Sequence, residues 1–360
     1  METLEVPHVR HYEAAPPTTA DLEWADLPTV DLLLARTPEG MDELTKIVKT
    51  AMRVHGFLYV INHGLTPEQN ARMFDIADIP FSGATDADKQ TYLAPMKESG
   101  SYQGYKPRQY WHIDSGVKDE IETYSINRDV TKREHPEVLR PFLPEISAFA
   151  KFNHFHVLHP LLRLFARAVD LPEDAFVNIH GYDAVGETYV RSMKYYPRSE
   201  EDEKKVQQVW LKGHTDIGTV TILWSQPVSA LQVLSPNNTW RWVKHVPNAL
   251  VVNAGDALEF LSGGRLRATI HRVRQPPPDQ RGRERLGIFY FAMADDDVVI
   301  APMVPNEEKS SRFTAENVMT MAEWRQARTR AYGHTKLVRN EREKGVEEEV
   351  INGVLVRHYN

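Results

Sequence analysis

The residues best suited to chemistry are two histidines and an aspartate. In His214-Thr215-Asp216 one residue separates an imidazole from a carboxylate. On an extended strand, side chains two apart project to the same face, so both can ligate one ion. His271, within Arg267-Ala268-Thr269-Ile270-His271-Arg272-Val273, is the natural third ligand, reached from a separate strand further along the chain. Three such ligands hold one face of a metal and leave the other open, which suits an iron(II) that must accept a cosubstrate, dioxygen and water. His, His and Asp also make catalytic zinc sites, so the triad by itself leaves metal-assisted hydrolysis open. A bare His-x-Asp is a short motif that more often marks a surface or structural pair, and its weight depends on the elements around it.

Those elements read as strands. Gly213 precedes His214, and Ile217-Gly218-Thr219-Val220-Thr221-Ile222-Leu223 follows Asp216. From Gly186 to about Ala294 the chain consists of short runs of Val, Ile, Thr, Tyr, Phe and Trp punctuated by Gly, Pro, Asn and Asp, the pattern of a sandwich or jelly roll. The first half differs. Met41 to Val54 carries apolar residues at helical spacing, Gly56 to Gly64 reads as a buried strand closed by Asn62-His63-Gly64, and Thr66 to Leu93 is helical again. Ser99 to Tyr110 reads as a loop, and a long helix is expected from Pro144 to about Asp170. The boundaries follow: a mobile arm over 1–26, an N-terminal α/β region over 27–185, the jelly-roll core over 186–300, and a C-terminal helix and tail over 301–360. The helix is placed around Ala315 to Tyr332, and the tail alternates apolar and polar as a strand would, so it is a candidate cover for the site. The fold class expected is mainly β with flanking helices.

Composition narrows the partners. A formal charge of -7 disfavours nucleic acid and anionic membranes, which are held by excess Lys and Arg, and leaves a small molecule as the expected partner. With no cysteine, disulfides, thiolate metal sites and cysteine nucleophiles are excluded. No stretch has the run of ~18 apolar residues of a membrane span, nor does the start resemble a signal peptide, so the cytoplasm is the expected location. Oligomeric state is not legible.

Taken together, several segments make the chain resemble the plant and fungal 2-oxoglutarate-dependent dioxygenases related to isopenicillin N synthase. They are Pro28-Thr29-Val30-Asp31-Leu32, the segment Gly56 to Gly64, the His-x-Asp with its flanks, Asn253-Ala254-Gly255-Asp256, and His271-Arg272-Val273. The resemblance runs from Leu27 to about Tyr332. It implies a double-stranded β-helix, Fe(II) on His214, Asp216 and His271, and 2-oxoglutarate and O2 as cosubstrates, with ascorbate as a stimulant. Release of succinate and CO2 would accompany hydroxylation, desaturation or rearrangement of a small organic molecule. The closing Val356-Arg357-His358-Tyr359-Asn360 and charged tail are more similar to fungal members, which implies secondary metabolism.

By the same resemblance, Arg285 and Tyr196 bind 2-oxoglutarate. The family's Arg-x-Ser falls on Arg285-Leu286-Gly287 and its Tyr-Pro on Tyr196-Pro197, with Lys194, where many members have Asn, as a further cationic contact. Gly287 supplies no hydroxyl, which keeps a keto-acid-independent oxidase of the isopenicillin N synthase type open. Arg fits this role because its fork pairs with both carboxylate oxygens; Arg281 and Arg283 in the same charged run compete for it. Phe291 aligns with a substrate-facing position, and Tyr105 belongs to an aromatic stretch with Tyr102, Tyr110 and Trp111 that can wall a pocket. His154, His156 and His159 read as packing or surface residues, because their spacing does not give the i, i+4 pair of helical zinc sites, and His63, in the Asn62-His63-Gly64 turn, reads as structural. A complete triad with Arg285 also argues against a non-enzymatic binding module.

Overall fold

The structure is a computed structural model in which residues 7–305, 318–332, 335, 337–343 and 345–359 are described. Strand β1 (Thr29–Asp31) pairs in parallel with β2 (Phe57–Ile61). Between them lies α1 (Pro38–Val54), where the Thr37 side chain accepts from Gly40 N and Pro38 opens the first turn, both favourable at a helix start. Its apolar face buries Met41, Leu44, Val48 and Met52. Helices α2 (Pro67–Ser82) and α3 (Asp86–Thr91) each begin with a reciprocal cap, Thr66 with Gln69 and Thr85 with Asp88.

The stretch read as a loop contains a short strand, β3 (Gly104–Lys106). It is followed by the small hairpin β4 (His112–Asp114) and β5 (Val117–Lys118) and by β6 (Ile121–Asn127), with which β3 pairs. The single helix expected over Pro144 to Asp170 is also interrupted. It comprises α4 (Leu143–Phe152), a π-helical turn over Asn153–Leu158, and α5 (His159–Ala168). Pro160 is the cause we assign, because its ring crowds the preceding turn and it has no N–H to donate, and a widened turn relieves both.

The core follows, with β7 (Tyr189–Tyr195), α6 (Glu200–Lys205), β8 (Val209–His214), β9 (Val220–Trp224), β10 (Leu231–Leu234), β11 (Trp240–Trp242) and β12 (Leu250–Ala254). After these come α7 (Asp256–Leu261), β13 (His271–Arg274) and β14 (Arg285–Ala292). Last are α8 (Met321–Ala331), β15 (Val338–Arg339), β16 (Val346–Ile351) and β17 (Val354–Tyr359). One sheet runs β1-β2-β12-β9-β14-β7-β6-β3, the other β11-β10-β13-β8-β17-β16-β15, and apart from β1 with β2 every named pairing is antiparallel. The two sheets enclose a cavity and form the jelly roll expected from the sequence.

Period-two alternation decides which side chains enter that cavity. On β7 these are Tyr189, Arg191, Met193 and Tyr195, and on β14 Arg285, Phe289 and Phe291. The opposite face of β14 buries Leu286, Ile288 and Tyr290, with α2 packed against that strand. Residues 7–26 carry almost no regular structure, yet they lie on the body where a mobile arm was expected. The reason is a set of specific bonds: Tyr12 N donates to Asp75 at 2.8 Å, Thr19 N to Asp279 at 2.7 Å, and Ala25 N to Trp242 O at 2.8 Å. Of the C-terminal helix expected around Ala315 to Tyr332, positions 315–317 lie outside the described residues, and the helix itself starts at Met321 behind a Thr320/Glu323 capping box. The tail does end as a strand, and Tyr359 on β17 pairs with Gly213 on β8, next to His214.

Candidate active site

His214 closes β8 and His271 opens β13, and the two are direct partners across that antiparallel pair, their rings 4.5 Å apart. Asp216 lies just beyond the end of β8 and sets its Oδ1 3.8 Å from His214 Nε2 and 3.7 Å from His271 Nε2. Each imidazole is oriented through its other nitrogen. His214 Nδ1 donates to Lys212 O at 2.8 Å and His271 Nδ1 to Thr269 O at 3.1 Å, which leaves both Nε2 lone pairs turned toward the carboxylate. The second aspartate oxygen is also held, because Oδ2 accepts from Thr221 Oγ1 at 2.6 Å and Asn253 Nδ2 at 2.8 Å. Burial, then the neighbouring His271, pushes the His214 imidazole down to about 3. Burial acts to raise Asp216, but His271, His214 and the bonds from Asn253 and Thr221 outweigh it and hold the carboxyl below its usual range. A neutral imidazole and an ionised carboxylate are the forms that bind a metal, and outer partners of this kind fix ligand orientation.

Arg285 reaches the same cavity from the start of β14 and is 2% exposed, whereas Arg281 and Arg283 face solvent. Its Nε and Nη1 have no partner among the described residues, and its guanidinium lies 5.2 Å from the Tyr195 ring centre. The strand register pairs Arg285 with Tyr195, so it is Tyr195 that faces the cavity. Tyr196 points away, and its hydroxyl donates to Glu122 at 3.1 Å. Burial pushes the Tyr195 phenol up to about 12, so it stays protonated and able to donate. Lys194 is likewise turned outward and forms ion pairs with Asp78 at 3.0 Å and Glu284 at 2.7 Å, while Tyr105 is buried with its hydroxyl donating to Pro80 O at 2.9 Å. Neither Lys194 nor Tyr105 lines the cavity, but Phe291 does. At Gly287 a Cβ would meet the Phe289 ring at 2.9 Å, so that ring fills the space where the family's serine would stand.

Residues 187–293 match the model of the 2OG-Fe(II) oxygenase superfamily, and residues 27–145 that of the non-haem dioxygenase N-terminal region named from morphine synthesis. The 2-oxoglutarate-dependent dioxygenase frbH of Dothideomycetidae sp. is 30% identical over 77% of this chain and 84% of its own length. The chain belongs to the 2-oxoglutarate/iron(II) oxygenase superfamily. A second fungal oxygenase, the 2-oxoglutarate-dependent dioxygenase FG08081 of Gibberella zeae, is 37% identical over 49% of this chain, a match that spans about half (52%) of that relative. A full-length Neurospora crassa protein, solved in complex with alpha-KG, shares the fold with a TM-score of 0.71 at 21% identity, over 88% of this chain and 99% of that one.

The oxygenase's own side chains fit the groups that the family requires. Two Nε2 lone pairs and one free carboxylate oxygen converge on a single point, as an iron ligand set must. A buried guanidinium without a partner, on the wall of the same cavity, fits a distal carboxylate. This oxygenase is therefore an iron(II)- and 2-oxoglutarate-dependent dioxygenase. Several cavity residues were given no role by the sequence: Arg191 and Tyr195 on β7, Thr221 and Asn253 behind Asp216, and Arg328 and Tyr332 from the C-terminal part. Asn253 did leave a trace, being the one polar residue in the apolar run Leu250–Ala254. The aromatic wall expected near residue 105 is supplied by Tyr102 and Trp111. His63 and His154 are structural, bonded to Asn248 O at 2.9 Å and to the Tyr290 hydroxyl at 2.9 Å. Among the described residues no helix is long and apolar enough to cross a membrane.

Proposed function

We propose that this oxygenase oxidises a planar, largely apolar small molecule held between the aromatic walls of its cavity. Arg285 and Tyr195 would seat the far carboxylate of 2-oxoglutarate, and His214, Asp216 and His271 would hold the iron. When bound, the iron and keto acid supply dioxygen activation coupled to decarboxylation of 2-oxoglutarate to succinate and CO2. The chain's residues do the rest. Nδ1 bonds to backbone carbonyls aim the two imidazoles, Thr221 and Asn253 fix the carboxylate, and Trp111, Phe291 and Tyr332 exclude water and orient the substrate. The observation that carries this reading is Arg285, a buried cation whose Nε and Nη1 lack partners in the cavity that holds the triad. A structural neighbour supports a compact planar substrate, since the same Neurospora crassa protein has been crystallised with thymine and with 5-formyluracil. A cytoplasmic setting in fungal secondary metabolism, without nucleic-acid partners, completes the proposal.

The C-terminal tail belongs to it as a cover. Tyr332 lies 6.2 Å from the His214 ring and β17 pairs beside that ligand. The test is succinate formation by iron-loaded protein across a panel of metabolites. A substrate should raise 2-oxoglutarate turnover and give one succinate per molecule oxidised. Oxidation without succinate would instead indicate a keto-acid-independent oxidase.

A further inference from the structure

Arg191 is the second cation in the cavity, and none of the roles above uses it. It stands on β7, is 6% exposed and has one hydrogen bond, from Nε to Ser125 Oγ at 2.9 Å. Its outer Nη2 has no partner, and no carboxylate lies within ion-pairing distance among the described residues. The guanidinium is instead enclosed by rings, with centres at 4.6 Å (Tyr102), 4.9 Å (Tyr189) and 5.1 Å (Phe291). Rings attract a cation but do not neutralise it.

Counting formal charges around the cavity shows what is missing. Iron(II), the Asp216 carboxylate, dianionic 2-oxoglutarate and Arg285 cancel. Arg328 is matched by Asp256 at 3.3 Å. Among the described residues, Arg191 is the cavity-lining charge that remains uncompensated. It is also well separated from Arg285, the anchor for the far carboxylate of 2-oxoglutarate. In the β7–β14 register Arg191 pairs with Phe289 and Tyr195 with Arg285. The two arginines therefore stand four residues apart along the strands, about 13 Å at the rise of an extended chain.

We propose that Arg191 is the specificity-determining residue of the substrate subsite and that the substrate is a carboxylic acid with a planar apolar body. With Nε committed to Ser125, the Nη1/Nη2 end of the fork is left to take a carboxylate end-on. The aromatic collar of Tyr102, Tyr189 and Phe291 strips water from that contact and receives the apolar body. The inference rests on Arg285 being the 2-oxoglutarate anchor, as argued above.

The experiment uses the full chain loaded anaerobically with iron(II) and 2-oxoglutarate. Phenylacetate, 3-phenylpropionate and indole-3-acetate are titrated by calorimetry, each beside its primary amide. The carboxylates should bind at least ~10-fold more tightly than the amides, the scale of one charge-assisted contact. In Arg191→Met the ratio should collapse to within about two-fold, and in Arg191→Gln, which can still bond Ser125, it should fall likewise. Equal affinity of acid and amide, no binding of either by the wild-type protein, or a preference that survives both substitutions would overturn the proposal. So would a loss of 2-oxoglutarate affinity in Arg191→Met as large as that in Arg285→Met, because Arg191 would then serve the cosubstrate. Failure of the parent reading shows separately, as absence of 2-oxoglutarate binding to the wild-type protein before any probe is added.

Discussion

Replacing Arg285 by Met should have opposite effects on stability and on ligand binding. In the ligand-free protein the guanidinium is 2% exposed with two nitrogens unbonded, and each unsatisfied buried donor costs ~1–3 kcal/mol. The Tyr195 ring at 5.2 Å returns part of this, on the order of 0.5–1 kcal/mol. A net gain of roughly 1–5 kcal/mol on substitution is therefore expected. Unfolding entropy near ~2.1 cal/mol/K per residue over this length converts that gain into a Tm higher by about 1–7 °C. Binding should move the other way. Losing two charge-assisted bonds at ~1.5–3 kcal/mol each raises the Kd for 2-oxoglutarate at least ~100-fold. A ligand concentration that is ~100 times the wild-type Kd, worth ~2.7 kcal/mol there, would then stabilise the variant by less than ~0.5 kcal/mol. Thermal melts with metal, with and without 2-oxoglutarate, measure both effects. A variant that melts lower without ligand and keeps the full ligand shift would refute the assignment of Arg285.

Further outcomes follow from other parts of the structure. Gly287→Ser should bind 2-oxoglutarate no better than wild type and lose ~1–3 kcal/mol of stability, because its Cβ meets Phe289 at 2.9 Å; adding Phe289→Ala should make the serine useful and tighten binding, as calorimetry can show. The His154 imidazole is pushed by burial down to about 3, so its contribution to stability is complete above its ordinary value near pH 6.5 and is lost as pH falls toward 3. Each pH unit below ~6.5 should cost up to ~1.4 kcal/mol from this group, and denaturant titrations of His154→Gln should give a shallower acid slope by about one proton. Ending the chain after Gly345 removes β16 and β17 with the buried Val346, Ile351, Val354 and Val356. That truncation should lower Tm and alter substrate KM or kcat, and unchanged kinetics would discount the tail as a cover.

The triad was legible because its residues sit among strand-forming runs whose period places side chains on one face; that His271 is the cross-strand partner of His214 comes from the structure. Arg285 was legible through its strand, since the exposed Arg281 and Arg283 precede the first residue of β14. Tyr195 and Tyr196 show where legibility ends. Two adjacent tyrosines give no alternation of their own, and only the cross-strand register with Arg285 decides which one faces inward. Arg191 was hidden for a related reason, because a charged residue on a strand reads as solvent-facing until its neighbours are known. The break at Asn153–Leu158 depends on Pro160, which helical periodicity treats as one more position. The C-terminal contribution of Arg328 and Tyr332 is a long-range contact that no local pattern encodes.

The most direct test of the central assignment is anaerobic iron(II) and 2-oxoglutarate binding to the wild-type protein and to Asp216→Ala, His271→Ala and Arg285→Met, followed on admission of oxygen by succinate analysis. The expected result is one iron per wild-type chain, 2-oxoglutarate binding that requires the metal, and succinate formation. Asp216→Ala and His271→Ala should lose the iron, whereas Arg285→Met should keep it but lose the keto acid. Iron retained by both ligand variants, or 2-oxoglutarate bound equally well without Arg285, would contradict the site described here.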